Sequence, residues 1–403
     1  MRILYFSDIR FPLERANGIQ TMETCHALAA RGHTVNLIVR PDTATPARDP
    51  FEYYGLPRLP RLVIERAPIA GPQFARRAGY VAFALGRGMG AARADIVMTR
   101  DIGLAATILS VPASLRPPLV YESHGYSPDV AAALPELVST ATMPGRAKLA
   151  RMTRREARVW RDAEGYVTIT AGLAEELSAH FGTRPLVAVI PDGYRAPDGA
   201  TAAAAVAPSN APVVAYAGHL YPWKGVDVLL EALARLPHVH GLIVGGHAAE
   251  PDLPRTKALA SRLGLDERIT FTGLVKPAEV HGYLRRADVL ALPNPASVLS
   301  SRYTSPLKLF EYLAAGRPIV ASDLPSIREV LHDGDDSLLV PPGDPDRLAA
   351  AIQRVLGDAA LADRLAKAAQ ALAPEYGWDR RAERLEAHFA EVIASRGRAA
   401  PVR

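Results

Sequence analysis

Short apolar runs alternate with longer stretches of helical periodicity along almost the whole chain. In the first half RILYFSD, TVNLIV, IVMTRD, LVYESHG, GYVTIT and LVAVIPDG read as strands, and several of the segments between them read as helices. In the second half VVAYAG, HGLIVGG, ITFTG, VLALPN, PIVASD and SLLVPPG repeat the pattern. Short apolar strands alternating with helices predict a parallel, doubly wound sheet in each half. The stretch between the halves, RAPDGATAAAAVAPSNAP, is rich in Ala, Pro, Gly and Ser and carries no strand pattern, so it reads as a linker.

The fold class predicted is therefore α/β, with two Rossmann-like domains. The expected organisation is a first domain over residues 1–195, a linker over 196–212, a second domain over 213–375, and a terminal segment over 376–403 holding a last helix pattern. A chain of 403 residues is too long for one ordinary core, which agrees with two domains. In open α/β sheets ligands gather at the carboxyl ends of the strands, so a cleft between the halves is the default site.

Composition narrows the class further. Apolar residues make up 49% and charged residues 22%, the profile of a soluble globular protein. The apolar runs fall short of the roughly 20 residues that span a bilayer. The opening MRILYFSDIR reads as a first strand rather than a signal peptide. One cysteine, Cys25, forms no internal disulfide, which suits a reducing cytoplasm; on an amphipathic helix it reads as a small core residue.

The net charge of +5 decides little, but its distribution singles out RAKLARMTRREARVWR over 146–161, with seven basic residues and one acidic. Lys148, Arg151, Arg155 and Arg158 are spaced to share a helix face. That face reads as a solvated surface, or as a patch for an anionic membrane or a phosphorylated acceptor. Nucleic acid is disfavoured, because no aromatic residues are interleaved for stacking and no reading motif appears.

A dinucleotide fingerprint is absent: the turn after the first strand, DIRFPLERANGIQ, holds one glycine, Gly18. YAGHLYPWKG is no P-loop, since Lys224 precedes its glycine and no Ser or Thr follows. Three strand-to-helix turns remain. Asn17-Gly18 precedes the helix pattern IQTMETCHALAARGH, where a glycine lets the backbone approach an anion. Gly218-His219 ends a strand and Lys224-Gly225 opens a helix, placing a cation and free N–H groups where a diphosphate would fit.

The third turn is SPLKLFEYLAAGRPIVASD, with Ser305 as expected N-cap, Pro306 as first helical residue and Gly316 as stop. The N–H groups of Leu307 and Lys308 then lack intrahelical acceptors. Glu311 falls among apolar side chains with Leu307, Phe310 and Ala314, so a salt bridge or a ligand hydroxyl pair must satisfy it. In the first half Glu122 and His124 close one strand, and Arg100 closes another.

Together these segments resemble the retaining glycosyltransferases of family 4, of GT-B arrangement. YAGHLYPWKGVDVLLEAL, LIVGG, ITFTGLV, ADVLALPN and SPLKLFEYLAAGRPIVASD occur in family order, and NGIQ, YESHG and VIPDG match in the first half. The resemblance implies a nucleotide-sugar held mainly by the second domain. It places Glu311 on the ribose hydroxyls, and Lys224 on the diphosphate with N–H groups near Leu307 and with Gly18. It places His124 by the sugar and the reacting centre, making His124 and Lys224 the candidate catalytic residues. Gly218, His219, Ser305, Pro306, Leu307 and Lys308 complete the implied donor site, with Asn17, Arg100 and Tyr303 as candidate sugar or acceptor contacts. The last helix would cross back onto the first domain.

Two departures stand out. Tyr303 occupies the position of the first of two family glutamates, and His219 stands where the family often has Arg. The implied chemistry is hexose transfer to an acceptor hydroxyl by front-face attack, the leaving diphosphate helping to take the proton, with closure of the domains excluding water. No cofactor is expected. With no Asp-x-Asp motif, neither is a metal. UDP-glucose is the first expectation for the donor and GDP-mannose the second. The acceptor is lipid-linked, phosphorylated or small and soluble, and the setting is the cytoplasm, with peripheral contact at the inner membrane face. The rival readings are an epimerase or phosphorylase on the same fold, or a non-catalytic nucleotide-sugar binder.

Overall fold

The computed structural model describes residues 1–69, 72–90, 94–137, 142–195 and 211–399. The first half runs β1 (Arg2–Arg10), α1 (Ala16–Ala30), β2 (Thr34–Arg40), α2 (Pro50–Tyr54), β3 (Leu62–Arg66), α3 (Gln73–Gly90), β4 (Ile96–Thr99) and α4 (Ile102–Ile108). It continues through β5 (Leu119–Ser123), α5 (Ser127–Leu137), α6 (Arg146–Asp162), β6 (Gly165–Thr168), α7 (Ala171–Phe181) and β7 (Val187–Val189). The second half runs β8 (Val213–Ala217), α8 (Val226–Ala234), β9 (His240–Val244), α9 (Asp252–Arg262), β10 (Ile269–Gly273), α10 (Pro277–Leu284) and β11 (Val289–Leu292). After it come α11 (Val298–Arg302), α12 (Leu307–Ala315), β12 (Ile319–Ser322), α13 (Pro325–Arg328), β13 (Leu338–Val340), α14 (Pro345–Gly357), α15 (Ala359–Leu372) and α16 (Trp378–Ala399).

The chain divides into two compact units. Unit 1 comprises Met1–Ala131, Pro144–Asp192 and Trp378–Arg403; unit 2 comprises Ala132–Met143 and Gly193–Gly377. The linker expected over 196–212 lies, apart from Ala211 and Pro212, outside the described residues. In unit 1 seven parallel strands take the order β3-β2-β1-β4-β5-β6-β7, and in unit 2 six take the order β10-β9-β8-β11-β12-β13. Strand order therefore reverses beside β1 and beside β8, the places where an open α/β sheet leaves room for a ligand.

Burial on both faces explains the near-continuous apolar strands. Ile3, Leu4, Tyr5 and Phe6 of β1 are all buried although successive side chains point to opposite faces. In β8, Val214 and Tyr216 enter one apolar cluster while Ala215 and Ala217 enter the other. Cys25 is fully buried on α1 and its thiol is pushed up by burial, as fits a core residue.

β3 was not foreseen. It is an edge strand paired only with β2, and most of its residues are half-exposed, so LVIER lacks the apolar continuity of its neighbours. The last helix packs on α1, with Ala382, Leu385, Phe389 and Val392 forming its buried stripe. Among the described residues no helix is long and apolar enough to cross a membrane.

The basic face expected on α6 is divided. Lys148 and Arg151 are exposed, Arg155 is half-buried, and Arg158 donates to the Leu109 carbonyl at 3.1 Å and lies 3.9 Å from Asp162. The stripe is therefore not a uniformly solvated surface, because its C-terminal half packs against the rest of unit 1.

Candidate functional site

In unit 1 the predicted residues collect at the carboxyl ends of β1, β4 and β5. Asn17 and Gly18 do not precede α1 as expected; they lie inside its first turn, since the helix begins at Ala16. A side chain at Gly18 would meet the Leu13 carbonyl oxygen at 2.3 Å and the Tyr54 hydroxyl at 2.5 Å. The turn after β1 is therefore closed over this position, and only glycine fits.

Glu122, at the end of β5, is fully buried and heavily engaged. Its Oε1 accepts from Gln20 Nε2 at 2.6 Å and lies 2.5 Å from His124 Nε2. Its Oε2 accepts from Arg381 Nη2 at 2.8 Å. Gln20 Oε1 in turn accepts from Arg100 Nη1 at 2.7 Å. Burial alone would raise the Glu122 carboxyl, but Arg381, His124 and Arg100 hold it well below the usual range. Burial and the Arg100 charge lower His124 while Glu122 acts in the opposite sense; a neutral ring that donates from Nε2 to the carboxylate would leave Nδ1 as an acceptor.

Arg381 also donates to the Ile190 and Pro191 carbonyls at 2.8 and 2.6 Å. Gln20 and Arg381 escaped the sequence reading. The available signal was their placement on the buried faces of α1 and α16: Arg381 lies beside the stripe of Ala382, Leu385 and Phe389, and a cation there needs a partner.

Among the described residues, Glu122, His124 and Asp192 form the group whose ligand-type atoms lie within 4.8 Å of one another. The set does not fit a divalent cation. A guanidinium already neutralises Glu122 and lies 4.0 Å from Asp192, and Gln20 occupies the second Glu122 oxygen.

In unit 2 the predicted residues collect around the end of β8 and the start of α12. Lys224 ends a 3-10 turn, Pro222–Lys224, and Gly225 adopts a left-handed φ of 77° before α8. A side chain at Gly225 would strike the Pro293 carbonyl oxygen at 1.8 Å, so this turn is packed against the end of β11. The Lys224 ammonium stands 3.6 Å from the centroid of the Trp223 ring, and burial pushes it down to about 7.

His219 Nδ1 lies 3.2 Å from Glu250 Oε2, and its ring stacks on Tyr221, whose hydroxyl donates to Glu250 Oε1 at 2.6 Å. Beyond Gly218, the Tyr216 hydroxyl donates to the His219 carbonyl at 2.7 Å and fixes the turn.

α12 differs from expectation in two respects. Its N-cap is Pro306, not Ser305, and Pro306 makes no side-chain hydrogen bond to the first turn. Its buried positions are Lys308, Leu309, Phe310, Tyr312, Leu313 and Ala315, whereas Leu307, Glu311 and Ala314 are half-buried. Glu311 thus stands on the margin of the helix rather than within its packed face. The first-turn N–H groups of Leu307 and Lys308 have no acceptor within the helix.

Gly316 ends the helix with a left-handed φ of 63°, as expected. Tyr312 locks α12 to the sheet: its hydroxyl accepts from the Ala217 N–H at 2.9 Å and donates to the Ala291 carbonyl at 3.3 Å. Tyr303, in the position of the missing glutamate, is 4% exposed and packed into unit 2.

Comparison with known proteins places these features. A model for the "Glycosyl transferase 4-like domain" matches residues 18–193, and one for "Glycosyl transferases group 1" matches residues 211–358. A D-inositol 3-phosphate glycosyltransferase of Acidothermus cellulolyticus is 30% identical over 305 residues, covering 71% of this chain and 64% of that protein. The chain spans between about half and two-thirds of the length of such curated relatives, 53% in one case and 64% in another.

Sucrose-phosphate synthase from Thermosynechococcus elongatus shares the fold with a TM-score of 0.78 at 20% identity, covering 98% of this chain and 99% of that one. HepE of Anabaena, solved with UDP-glucose, does so with a TM-score of 0.70 at 20% identity, covering 98% of this chain and 100% of that one. With one domain model on each half and a parallel Rossmann-like sheet in each unit, the chain belongs to the family 4, group 1 glycosyltransferases of GT-B fold.

Proposed function

We propose that this chain moves a hexose from a nucleoside-diphosphate sugar to an acceptor hydroxyl, with retention at the anomeric carbon. The observation that carries this reading is the convergence in unit 2 of Lys224, the first turn of α12 and the marginal carboxylate of Glu311, since Lys224 and Glu311 are the charges that act on Lys308 in that turn. A cation beside a helix start suits a diphosphate, and a half-buried carboxylate suits the vicinal hydroxyls of a ribose.

In the transfer, the bond from the anomeric carbon to the diphosphate oxygen breaks and one to the acceptor oxygen forms on the same face. The acceptor proton passes to the departing diphosphate. Negative charge grows on that diphosphate, and Lys224 with the α12 N–H groups would stabilise it without a metal. His124, oriented by Glu122, would place an Nδ1 acceptor towards a sugar hydroxyl.

UDP-glucose is the first donor to try and GDP-mannose the second. A phosphorylated polyol is the favoured acceptor class, in keeping with the name of the matched relatives and with the exposed Lys148 and Arg151 on α6.

A thermal-shift panel of UDP, GDP, ADP and their sugars tests donor binding. A ligand at 100 times its Kd should add about 2.7 kcal/mol of stability. NMR of the product then reads the anomeric configuration: an inverted product overturns retention, and conversion of the donor without acceptor points to an epimerase. Burial of Tyr303 where the family often has a carboxylate gives a non-catalytic binder its one specific support, and turnover of any acceptor disposes of it.

A further inference from the structure

Lys308 lies in the first turn of α12, 8% exposed, and its ammonium makes no hydrogen bond. The Nζ stands 3.6 Å from the centroid of the Tyr216 ring. It also reaches the turn at the end of β8, since a Cβ placed on Gly218 would come within 2.9 Å of it. An ammonium buried without an anionic hydrogen-bond partner is costly, and a ring face offsets only part of that cost. The charged groups facing it are Lys224, from the turn after β8, and Glu311, from its own helix. Burial, reinforced by the like charge of Lys224, drives Lys308 well below the ordinary lysine range, while Glu311 acts in the opposite sense. The site thus sets two lysines side by side that a bound anion would recharge and pair.

His219, which the family pattern would make the second cation, is committed elsewhere. Glu250 contacts its Nδ1 and Tyr221 stacks on its ring, so a carboxylate shares whatever charge it carries. We infer that the Lys308 side chain is the second cation of the donor site, contacting the diphosphate together with Lys224 and the first-turn N–H groups of α12. The inference rests on the donor-binding reading above and adds to it the side chain of a residue placed there for its backbone N–H. The helix that carries Glu311 then delivers both the ribose contact and a phosphate contact.

The test uses calorimetric titration of the full chain with UDP, GDP and ADP, followed by the matching nucleoside of whichever binds. Lys308→Met should weaken the diphosphate by about tenfold or more, the worth of one charge-assisted hydrogen bond, and leave the nucleoside within about twofold. The melting temperature of the unliganded variant should hold or rise, because a buried polar group without a hydrogen-bond partner has been removed. Lys308→Gln, which keeps the polarity and most of the length, should show the same selective loss.

An unchanged ratio of diphosphate to nucleoside affinity overturns the inference while leaving the donor reading intact. So does a lowered melting temperature with equal loss of both ligands, the signature of a purely structural cation–π contact. A wild-type chain that binds none of the three diphosphates overturns the donor reading and the inference with it.

Discussion

Arg381 on the last helix donates Nη2 to the buried Glu122 carboxylate at 2.8 Å, joining residues 259 positions apart within unit 1. Removing one partner of such a pair leaves an uncompensated charge, which typically costs about 3–5 kcal/mol. Arg381→Met should therefore destabilise unit 1 by that order in urea unfolding. Arg381→Met combined with Glu122→Gln should recover part of the loss, because no carboxylate is then stranded. Equal stabilities for the single and double variants would show that the pair is not coupled.

Glu311 gives the most direct test of the ribose contact. Glu311→Ala should remove most of the thermal shift produced by a bound nucleoside diphosphate, a loss of about 1.5–3 kcal/mol for hydrogen bonds to a charged group. Because Glu311 also faces the buried Lys308 in the free chain, the shift is read against the unliganded melting point of the variant itself. An unaltered ligand shift would mean that the ribose is held elsewhere.

Diphosphate affinity should depend on pH with a definite sign. In the free chain burial lowers Lys224 to about 7, whereas an anion beside it favours the charged form. Below that pH the lysine is already charged, and affinity gains nothing more from it. Above it, binding must take up a proton, so affinity should fall by up to about tenfold per pH unit for each lysine that must be recharged. Calorimetry between pH ~7.5 and 9, where the terminal phosphate with its second pKa of about 6 is fully ionised, isolates the protein's part. Lys224→Met should reduce the slope by about one proton, and a slope unchanged by that substitution would refute the assignment.

Glu156 predicts a pH dependence of stability rather than of binding. Its carboxyl, buried on α6 and accepting from the Ser127 N–H at 3.1 Å and from the Ser127 hydroxyl, is raised by burial to about 7. The folded state therefore holds this proton more tightly than the unfolded state. Stability from this group is complete below the unfolded value near 4.5 and declines as pH rises towards about 7. The full penalty above that is about 3 kcal/mol. Glu156→Gln should match the wild type near pH ~4.5 and exceed it by about 1–3 kcal/mol at pH ~8, read by denaturant unfolding at both values.

The strands of unit 2 were legible because each is a short apolar run, most of them buried on both faces, and even the half-exposed edge strand β10 keeps the β-branched and aromatic ITF before its glycine. β3 was not, because this half-exposed edge strand carries no such run. Glu311 was found for an instructive reason. Apolar residues surround α12 on nearly every side, so periodicity alone could not choose its buried face and assigned Glu311 to it. The packing buries Lys308 instead and leaves Glu311 at the margin. The same reasoning, a charge set among buried apolar positions, holds better for the Lys308 side chain and for Arg381, neither of which the sequence reading singled out on that ground.

The sequence by itself determined what short-range chemistry controls: the alternating elements, the stop at Gly316, the cation in the turn after β8 and the family pattern spread along the chain. Only the tertiary structure decided which charges meet. Arg381 reaches Glu122, and Lys308 lies over Tyr216, through packing between segments far apart in the chain. The cost of burying a charge depends on the partners that distant segments bring to it, and local periodicity carries no record of those partners.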